Sequence, residues 1–580
     1  MMHDHKQSTD RSTRRLPGRR RHPALDFPPI DPAAQQGRFD PVVFGVTAAF
    51  VLAFLLWGAL DSEGLGSWSN SALGWVMDKT GWLFILASSG FVVFVVWLAL
   101  GKYGNIPLGR DGEEPEFTTS SWVAMMFSAG MGIGLMFWGS AEPLQYFTDP
   151  IPGTDPSRST ETAMAQTLFH WTLHPWAIYC VVGLAVAYGM YRKGRVQLIS
   201  SAFRPLLGRK VDGPIGKVID MLAIFATLFG SAASLGLGAL QISEGYRIVS
   251  GAGRTTNTLL VLLIAVLTVC FILSAVSGVA RGIQYLSNVN MVLALILAVF
   301  VFVVGPTVFI LNMIPNALGS YLEQIGTMAG RSAAQGDDVG SWLGSWTVFY
   351  WAWWVSWTPF VGMFIARISR GRTIRQFVAG VLLVPSVVSL IWFAIFGGAA
   401  IFETEHGHDL SGSSTATLFH LLDQYPISAA TQVLVMVLVA IFFVSGADAA
   451  SIVMGSLSEK GAAEPKKLNV AFWGTLTGAV AAVMLVIGNT GKAGEDDSNS
   501  ALEGLQNITI VAALPFLVVM IALCVALVRD LSRDPLVVRR AYMADRVESA
   551  IVQGVTDHGD EFAIGIVHDE TGTPPGEPHP

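Results

Sequence analysis

The sequence is organised around an aromatic run, Tyr350-Trp-Ala-Trp-Trp-Val-Ser-Trp-Thr-Pro-Phe360, inside an apolar stretch from about Trp342 to Ile365. On a helix, Trp353 and Trp357 are one turn apart and Trp354 and Trp357 are spaced i,i+3, so their rings cluster on one side. Indoles in membrane proteins usually lie at the two interfaces, where the N–H stays hydrated. Rings at mid-span therefore indicate either an aromatic cage for a quaternary ammonium group, which donates no hydrogen bond, or helix packing with an interfacial belt.

The composition predicts an all-α integral membrane protein. Of the 580 residues, 52% are apolar and only 14% are charged, whereas soluble domains have about 25% charged residues. The net charge of −7 and the absence of a basic domain give no indication of nucleic-acid binding. Cys180, Cys270 and Cys524 lie far apart in apolar runs, which argues against a disulfide framework and a thiolate metal site.

Twelve apolar runs are long enough to cross a bilayer, and together they define a transporter domain at 41–528. Residues 1–40 are predicted to be a disordered basic tail, and 529–580 to begin as a helix and end as a solvated tail. A short amphipathic segment at about Pro315–Met328 is predicted to lie on the outer surface. The twelve runs lie at about 41–60, 81–101, 120–141, 163–190, 218–241, 257–277, 285–311, 342–366, 377–402, 428–456, 468–489 and 508–528.

The basic residues test this count of spans. With both termini in the cytoplasm, 30 of the 36 Lys and Arg residues fall in the predicted cytoplasmic segments. Adding or dropping one span would destroy this asymmetry. We therefore expect a multi-pass protein of the plasma membrane with both termini in the cytoplasm.

Two of the spans carry signals of interruption. Span three contains three glycines at alternate positions, in Ser128-Ala-Gly-Met-Gly-Ile-Gly134. Each glycine costs about 0.5–1 kcal/mol relative to alanine in a helix, which favours a break lining a cavity, while a close crossing of small residues is the alternative. Span eight is interrupted at Trp357-Thr-Pro359. Interruptions five spans apart are typical of an inverted-repeat transporter, with repeats at about 120–311 and 342–528 after two extra spans.

Span four supplies a second aromatic group. Trp171, Trp176 and Tyr179 surround Pro175, which bends a helix and frees a carbonyl. On their own, these rings are either further walls of a cage or anchors at the membrane interface.

The only candidate catalytic residues are His170, His174, Glu142 and Asp448, and no nucleophile–base motif links them. We therefore expect no enzyme and no organic cofactor. The two histidines have the i,i+4 spacing of metal ligands but lack the glutamate of an H-E-x-x-H motif, which argues against zinc. Asp448 is an intramembrane carboxylate near the cytoplasmic end of its span, where a gate or helix-capping role is favoured over substrate contact.

Hydroxyl groups in spans five and ten are candidates for binding a hard cation. Thr227 and Ser231 are one turn apart, and Ser445 is followed by Gly446. Such hydroxyls can coordinate sodium together with freed carbonyls. The alternative is a hydrogen bond from each hydroxyl to the carbonyl four residues earlier.

From about residue 40 to 530 the sequence resembles the betaine/choline/carnitine transporters, in particular the sodium-coupled glycine betaine symporters of Gram-positive bacteria. The most specific parts are Ala129–Gly134, Trp171–Tyr179 and Tyr350–Arg372. The resemblance implies a LeuT-type five-plus-five inverted repeat, usually assembled as a trimer. It also implies alternating access driven by an inward sodium gradient.

Carried across residue by residue, the resemblance implies a substrate site built from both aromatic groups. The ammonium cage would consist of Trp171, Trp176, Tyr179, Trp354 and Trp357. Trp351 and Trp353 would lie further along the pathway. The substrate carboxylate would lie near N–H groups freed at the glycine break, at Gly130, Met131, Gly132 and Gly134.

The resemblance also implies two sodium sites. One would use Thr227 and Ser231 with Phe360, and the other would use Ala129, Met131, Phe442, Ser445 and Gly446. The second site normally has adjacent hydroxyl residues, so the glycine removes one ligand. The osmosensing member has the opposite charge balance in its tails, which argues against osmotic activation through the C-terminal tail.

We therefore expect a secondary transporter that imports a zwitterionic quaternary-ammonium compatible solute, glycine betaine first, together with sodium. Choline-type relatives tend to carry Asp at the position of Gly134, so the glycine favours a zwitterion over a bare cation. The alternatives on the same fold are ectoine, proline, choline or carnitine, with proton coupling or exchange. The expected partners are sodium, the lipid bilayer and two further copies of the chain.

Overall fold

The computed structural model of the chain describes residues 39–130, 132–251, 256–277, 280–410, 412–489 and 498–559. Over these residues the chain forms helices and turns, with one isolated antiparallel bridge between Pro107 and Thr373 and no β-strand. The predicted all-α class is confirmed. From residue 39 to Arg529 the described chain is one compact unit, and the C-terminal helix belongs to a second.

The first half of the compact unit holds the broken helices that matter for function. Its helices, in chain order, are α1 (Pro41–Leu60), α2 (Ser62–Leu100), α3 (Thr119–Gly130), α4 (Ile133–Thr148), α5 (Ser159–Trp171), α6 (Leu173–Ala187), α7 (Arg204–Leu207), α8 (Pro214–Ser250), α9 (Asn257–Ser277) and α10 (Ala280–Val304).

The second half supplies the aromatic helix and its neighbours. Its helices are α11 (Thr307–Ala329), α12 (Asp337–Leu343), α13 (Phe349–Arg367), α14 (Ile374–Glu405), α15 (Thr417–Asp423), α16 (Ser428–Ser458), α17 (Lys467–Asn489) and α18 (Ser498–Leu531). The helix predicted after residue 528 is present as α19 (Pro535–His558), and Asp534 caps it by accepting a hydrogen bond from Leu536 N at 3.0 Å.

Nine helical segments of the described chain are long and apolar enough to cross a membrane, and a bent pair brings the number to ten. The bent pair consists of α10 and α11, which meet at an angle of 109°. Of the two remaining predicted spans, 120–141 is divided by the glycine break into helices of 12 and 16 residues, and 342–366 contains the Trp-rich helix α13. The count of twelve and the inverted repeat stay predictions.

The glycine-rich break predicted in span three is present. Helix α3 ends at Gly130 and α4 begins at Ile133, while Gly132 between them has extended backbone with φ −150° and ψ −170°. The glycines disfavour a continuous helix because glycine loses more backbone entropy than other residues on becoming helical and adds no side-chain contacts. A new helix N-terminus therefore starts inside the span.

Span four is broken as well. Thr172 separates α5 from α6 with φ −115° and ψ −111°. The break lies within one turn of Pro175, which has no N–H and whose ring clashes with the carbonyl four residues earlier. The helix is thus interrupted one turn before this proline, and residues 156–192 still count as one membrane-spanning segment.

The interruption predicted at Trp357-Thr-Pro359 is wrong. Helix α13 runs without a break from Phe349 to Arg367 and contains Pro359 in its interior. The proline removes one backbone hydrogen bond, and the packing of α13 against α6 and α8 maintains the helix on both sides of it. The irregular turn lies earlier, as a π-turn at Gly344–Val348.

The short helix predicted at 315–328 is the C-terminal part of α11. It is amphipathic, with Met313, Ala317 and Tyr321 buried and Leu318 and Leu322 exposed. Its outward location stays a prediction.

The loops at 102–119 and 367–376, both predicted to be cytoplasmic, pair with each other, and we call this pairing the loop clamp. Leu108 N donates to Arg372 O at 2.7 Å, and Gly371 N donates to Leu108 O at 2.9 Å. Gly371 has φ +80°, and a Cβ there would lie 2.3 Å from Glu114 O, so the tight pairing requires glycine. An ion pair between Arg192 and Asp111 at 2.5 Å holds the same loop against the end of α6.

Candidate substrate cavity

One cavity lies between the two broken spans and the helices α13 and α14. The empty space between its walls is about 580 Å³ when the open solvent at its mouth is included. Its wall consists of Gly132, Gly134, Leu135, Trp171, Pro175, Trp176, Tyr179, Trp353, Trp354, Trp357, Pro385, Val388 and Ser389. The five predicted cage rings and two of the four predicted carboxylate-binding residues thus share one wall.

The aromatic rings of the wall lie in several planes. Trp353 and Trp354 stack with centroids 4.9 Å apart. Trp171 meets Trp354 edge-on at 5.0 Å and 75°, and Tyr179 meets Trp354 at 6.2 Å and 83°. Trp357 stands at 76° to Trp353. Rings in several planes can present negative faces to a cation from different sides.

The N–H edge of Trp354 is occupied by a backbone acceptor. Its Nε1 donates to the carbonyl of His170 at 3.0 Å. His170 lies in the last turn of α5, where carbonyls lack partners within the helix, because α5 ends before Thr172. The broken span and the aromatic helix therefore satisfy each other's polar groups.

The indoles of Trp353 and Trp357 also donate to acceptors outside the cavity. Trp357 Nε1 donates to Gly230 O at 2.9 Å, and Trp353 Nε1 donates to Ser234 Oγ at 3.0 Å. Both acceptors are on α8, behind the cavity wall. Since their N–H groups are already bonded, these rings offer the cavity π-surface rather than hydrogen-bond donors.

Trp171 is anchored by a carboxylate. Glu142 of α4 is fully buried, and its Oε2 accepts from Trp171 Nε1 at 2.7 Å and from the Tyr350 hydroxyl at 2.5 Å. Its Oε1 lies 2.7 Å from His170 Nδ1. A buried carboxylate is stable only when such donors surround it. This role was not predicted from the sequence, because the donors come from two other helices, α5 and α13.

The polar network continues from His170 away from the cavity. Its Nε2 lies 3.0 Å from both Gln166 Nε2 and Thr347 Oγ1. The amide nitrogen of Gln166 can only donate, so the imidazole Nε2 accepts and Nδ1 carries the proton towards Glu142. Gln166 Oε1 accepts from Arg331 Nη1 at 2.9 Å. The guanidinium of Arg331 is therefore linked to the carboxylate of Glu142 through Gln166 and His170.

His174 does not belong to this network. It stacks on Trp351 with centroids 5.1 Å apart, and its Nε2 lies 3.4 Å from Ser89 Oγ. Of the two rings predicted along the pathway, Trp353 lines the cavity, whereas Trp351 is fully buried and packs outside it. Across the residues that the structure describes, no group of three His, Cys, Asp or Glu side chains could hold a metal ion.

The glycine break forms one edge of the cavity. A Cβ on Gly134 would lie 2.8 Å from ring atoms of both Trp171 and Trp353, closer than real contacts allow. Only glycine lets the two rings reach the backbone at this point. Gly132, the N-cap of α4, provides no side-chain hydrogen bond to the first turn of the helix. An uncapped helix N-terminus, which favours negative charge, therefore adjoins the aromatic wall.

Helix α14 closes the cavity with Pro385, Val388 and Ser389. One turn further along, Trp392 Nε1 donates to Leu135 O at 2.9 Å and ties α14 to the first turn of α4. This wall was not predicted from the sequence, since span nine has an ordinary apolar pattern. A proline inside that span is the one signal that pointed to it.

The first predicted sodium ligands lie where α8 meets α13. Thr227 Oγ1 donates to Ala223 O at 2.8 Å. This bond uses the hydroxyl proton and leaves oxygen lone pairs available to a cation. Phe360 lies 5.9 Å from the ring of Trp357, which is bonded to the adjacent turn of α8. Sodium binding by Thr227, Ser231 and Phe360 stays a prediction.

The second predicted sodium site is described only in part. Ser445 Oγ donates to Ile441 O at 2.9 Å, with Phe442 O at 3.3 Å. A Cβ on Gly446 would meet nothing within 4 Å, so the position is open. Met131 and the side chain of Ala129 lie outside the described part of the chain.

The intramembrane carboxylate Asp448 lies within α16 and is buried. It is not part of the cavity wall. Its role as a gate or helix cap stays a prediction.

Comparison with known proteins identifies the family. A sequence model of the betaine/carnitine/choline family transporters matches residues 42–536. The betaine/ectoine transporter LcoP of Corynebacterium glutamicum is 46% identical over 95% of this chain and 87% of its own length. The glycine betaine transporter OpuD of Bacillus subtilis is 43% identical over 88% of this chain and 98% of its own length.

A solved Na⁺-coupled sialic acid symporter aligns over 72% of this chain and 82% of its own, with a TM-score of 0.36 and 13% identity. That likeness is too weak to carry an argument. The family match and the relatives above 40% identity are sufficient. The chain is a member of the betaine/carnitine/choline family of membrane transporters, and not an enzyme.

Proposed function

We propose that the protein imports a zwitterionic compatible solute, glycine betaine first, by sodium symport with alternating access. One observation carries the choice of substrate. The rings of Trp353, Trp354 and Trp357 line the cavity while their N–H groups are bonded elsewhere. A trimethylammonium group has no proton to donate and is held best by such π-faces.

The aromatic rings suit the cationic end of a zwitterion, and the first turn of α4 suits its anionic end. Cation–π contacts contribute about 0.5–2 kcal/mol for each ring. Micromolar affinity needs about −8 kcal/mol, so the carboxylate end must supply a large share. The uncapped first turn of α4, beside Gly132, supports this assignment because its N–H groups favour an anion.

The experiment that tests the substrate compares glycine betaine with 3,3-dimethylbutyrate, its isostere with carbon in place of nitrogen. Binding to the purified protein is measured by calorimetry. We expect glycine betaine to bind at least tenfold more tightly, because only the charged group gains from the ring quadrupoles. Equal affinity would show that the rings act as apolar packing alone.

Ectoine is the second candidate substrate, because LcoP is named a betaine/ectoine transporter. Its cyclic amidinium carries donors, so the bonded indoles suit it less well than a trimethylammonium group. Competition by ectoine, proline, choline and carnitine against radiolabelled glycine betaine ranks these substrates. Repeating the uptake with a proton gradient, or with preloaded substrate, separates symport with sodium from proton coupling and exchange.

Sodium binding at Thr227, Ser231 and Phe360 and at the site near Ser445 belongs to the same proposal. So do the homotrimer and the location in the plasma membrane with both termini in the cytoplasm. Gly446 weakens the second site, so we expect the first to dominate coupling. Support comes from the hydroxyl oxygen of Thr227, which keeps free lone pairs where α8 meets α13.

A further inference from the structure

Ser389 of α14 is a polar side chain in an otherwise apolar part of the cavity wall. It is 4% exposed and lies next to Pro385 and Val388 in that wall. No predicted site residue lies on this helix. Its hydroxyl therefore has no role in the cage or in either sodium site.

The hydroxyl of Ser389 makes no hydrogen bond to the part of the chain that the structure describes. The hydroxyls of Ser386 on the same helix and of Thr358 on α13 do make one. Ser386 Oγ, one turn earlier, donates to Leu382 O at 2.5 Å, and Thr358 Oγ1 donates to Trp354 O at 2.7 Å. Membrane-embedded hydroxyls usually make this bond to the carbonyl four residues earlier. Because Ser389 lines the cavity and its hydroxyl makes no such bond, the hydroxyl can pair with a ligand bound there.

The position of Ser389 relative to α4 indicates which part of a ligand it meets. Trp392 is three residues further along α14, on the same face, and its Nε1 donates to Leu135 O at 2.9 Å. This contact places the face of α14 that carries Ser389 beside the first turn of α4. Gly132, Gly134 and Ser389 line the same cavity. Polar groups for an anion thus line the same cavity as the aromatic rings.

We propose that Ser389 Oγ donates a hydrogen bond to the carboxylate of the zwitterionic substrate, alongside the N-terminal amides of α4. The assignment rests on the proposed function and adds a side chain to it. Ser389 then determines selectivity, because a cation without a carboxylate gains nothing from it. Its loss weakens binding of a zwitterion and leaves a simple quaternary ammonium ion unaffected.

The test measures binding of glycine betaine and of tetramethylammonium to the purified full-length protein by calorimetry. Ser389→Ala is compared with wild type, with Ser389→Thr, which keeps the hydroxyl, and with Ser386→Ala as a matched control on the same helix. We expect Ser389→Ala to raise the Kd for glycine betaine about tenfold or more, the effect of losing one hydrogen bond to a charged group. The Kd for tetramethylammonium stays within twofold, Ser389→Thr restores most of the affinity, and Ser386→Ala behaves as wild type.

Two outcomes overturn the inference. Unchanged affinity for glycine betaine in Ser389→Ala shows that the hydroxyl does not contact the carboxylate. Parallel losses for both ligands show that the residue acts on the shape of the cavity. If wild-type protein binds no glycine betaine at all, the proposed function itself fails, which is a distinct result. If tetramethylammonium does not bind the wild type, the glycine betaine Kd of the two variants tests the inference. A Kd raised in Ser389→Ala and restored in Ser389→Thr supports it, and an unchanged Kd in Ser389→Ala contradicts it.

Discussion

The indole Nε1 of Trp171 donates to Glu142 Oε2 at 2.7 Å, and this bond fixes a ring of the cavity wall to a fully buried carboxylate. The same oxygen accepts from Tyr350, so the carboxylate connects span three, span four and the aromatic helix. A hydrogen bond to a charged acceptor is about twice as strong as a neutral one. The orientation of Trp171 therefore depends on Glu142.

Glu142→Gln tests this dependence. The amide has one acceptor oxygen and directs its N–H₂ at a donor, so one of the three donors loses its partner. We expect the KM for glycine betaine uptake to rise at least tenfold. Glu323→Gln is the control, because Glu323 is an exposed partner of Arg158. A wild-type KM in Glu142→Gln protein would mean that the carboxylate does not position the ring.

Trp357→Leu tests the aromatic wall. The substitution keeps apolar volume but removes the π-face and the hydrogen bond to Gly230 O. We expect uptake of glycine betaine to be abolished while the folded protein is still recovered from the membrane. Trp75→Leu is the matched control, since Trp75 is 58% exposed and is not part of the cavity wall. Normal uptake by the Trp357 variant would exclude this ring from the site.

Gly134→Ala tests the close approach of backbone and rings. The new methyl would lie 2.8 Å from atoms of Trp171 and Trp353, so the rings must shift into the cavity. We expect a loss of glycine betaine affinity of at least tenfold. At Gly90, also within a helix, a Cβ meets nothing within 4 Å, so Gly90→Ala should retain affinity. Similar binding by both variants would contradict the packing described at Gly134.

Arg192→Ala tests the loop clamp. The Arg192 side chain is 2% exposed, and besides Asp111 it bonds Gly109 O at 3.0 Å. Removing it leaves a buried carbonyl without this donor, and we expect a lower melting temperature. Arg204→Ala removes an exposed pair with Asp212, for which the expected change is small. Equal melting temperatures for the two variants would show that the clamp does not contribute to stability.

The sequence predicts what depends on local chemistry. The glycine break before Ile133 and the interruption near Pro175 follow from glycine and proline, whose effects on a helix need no tertiary context. The same argument failed at Pro359, where packing on both sides keeps α13 continuous. Residue type alone therefore indicates where a helix is weak, and tertiary contacts decide whether it breaks.

The parts of the site that were missed depend on contacts between helices. Glu142 gains its role from donors on α5 and α13, and Ser389 from the first turn of α4. Periodicity places a residue on a face of its own helix but does not say which helix packs there. Trp351 and Trp353 illustrate the same limit. They lie two residues apart in one aromatic run, yet Trp351 packs outside the cavity and Trp353 lines it.

The most direct test of the central claim is uptake of radiolabelled glycine betaine into proteoliposomes that contain the purified protein. We predict accumulation above equilibrium with an inward sodium gradient, and its loss in Trp357→Leu but not in Trp75→Leu. Replacing sodium with potassium should abolish accumulation. Absence of glycine betaine uptake by wild-type protein under the sodium gradient, or accumulation that is the same in potassium, would contradict the claim.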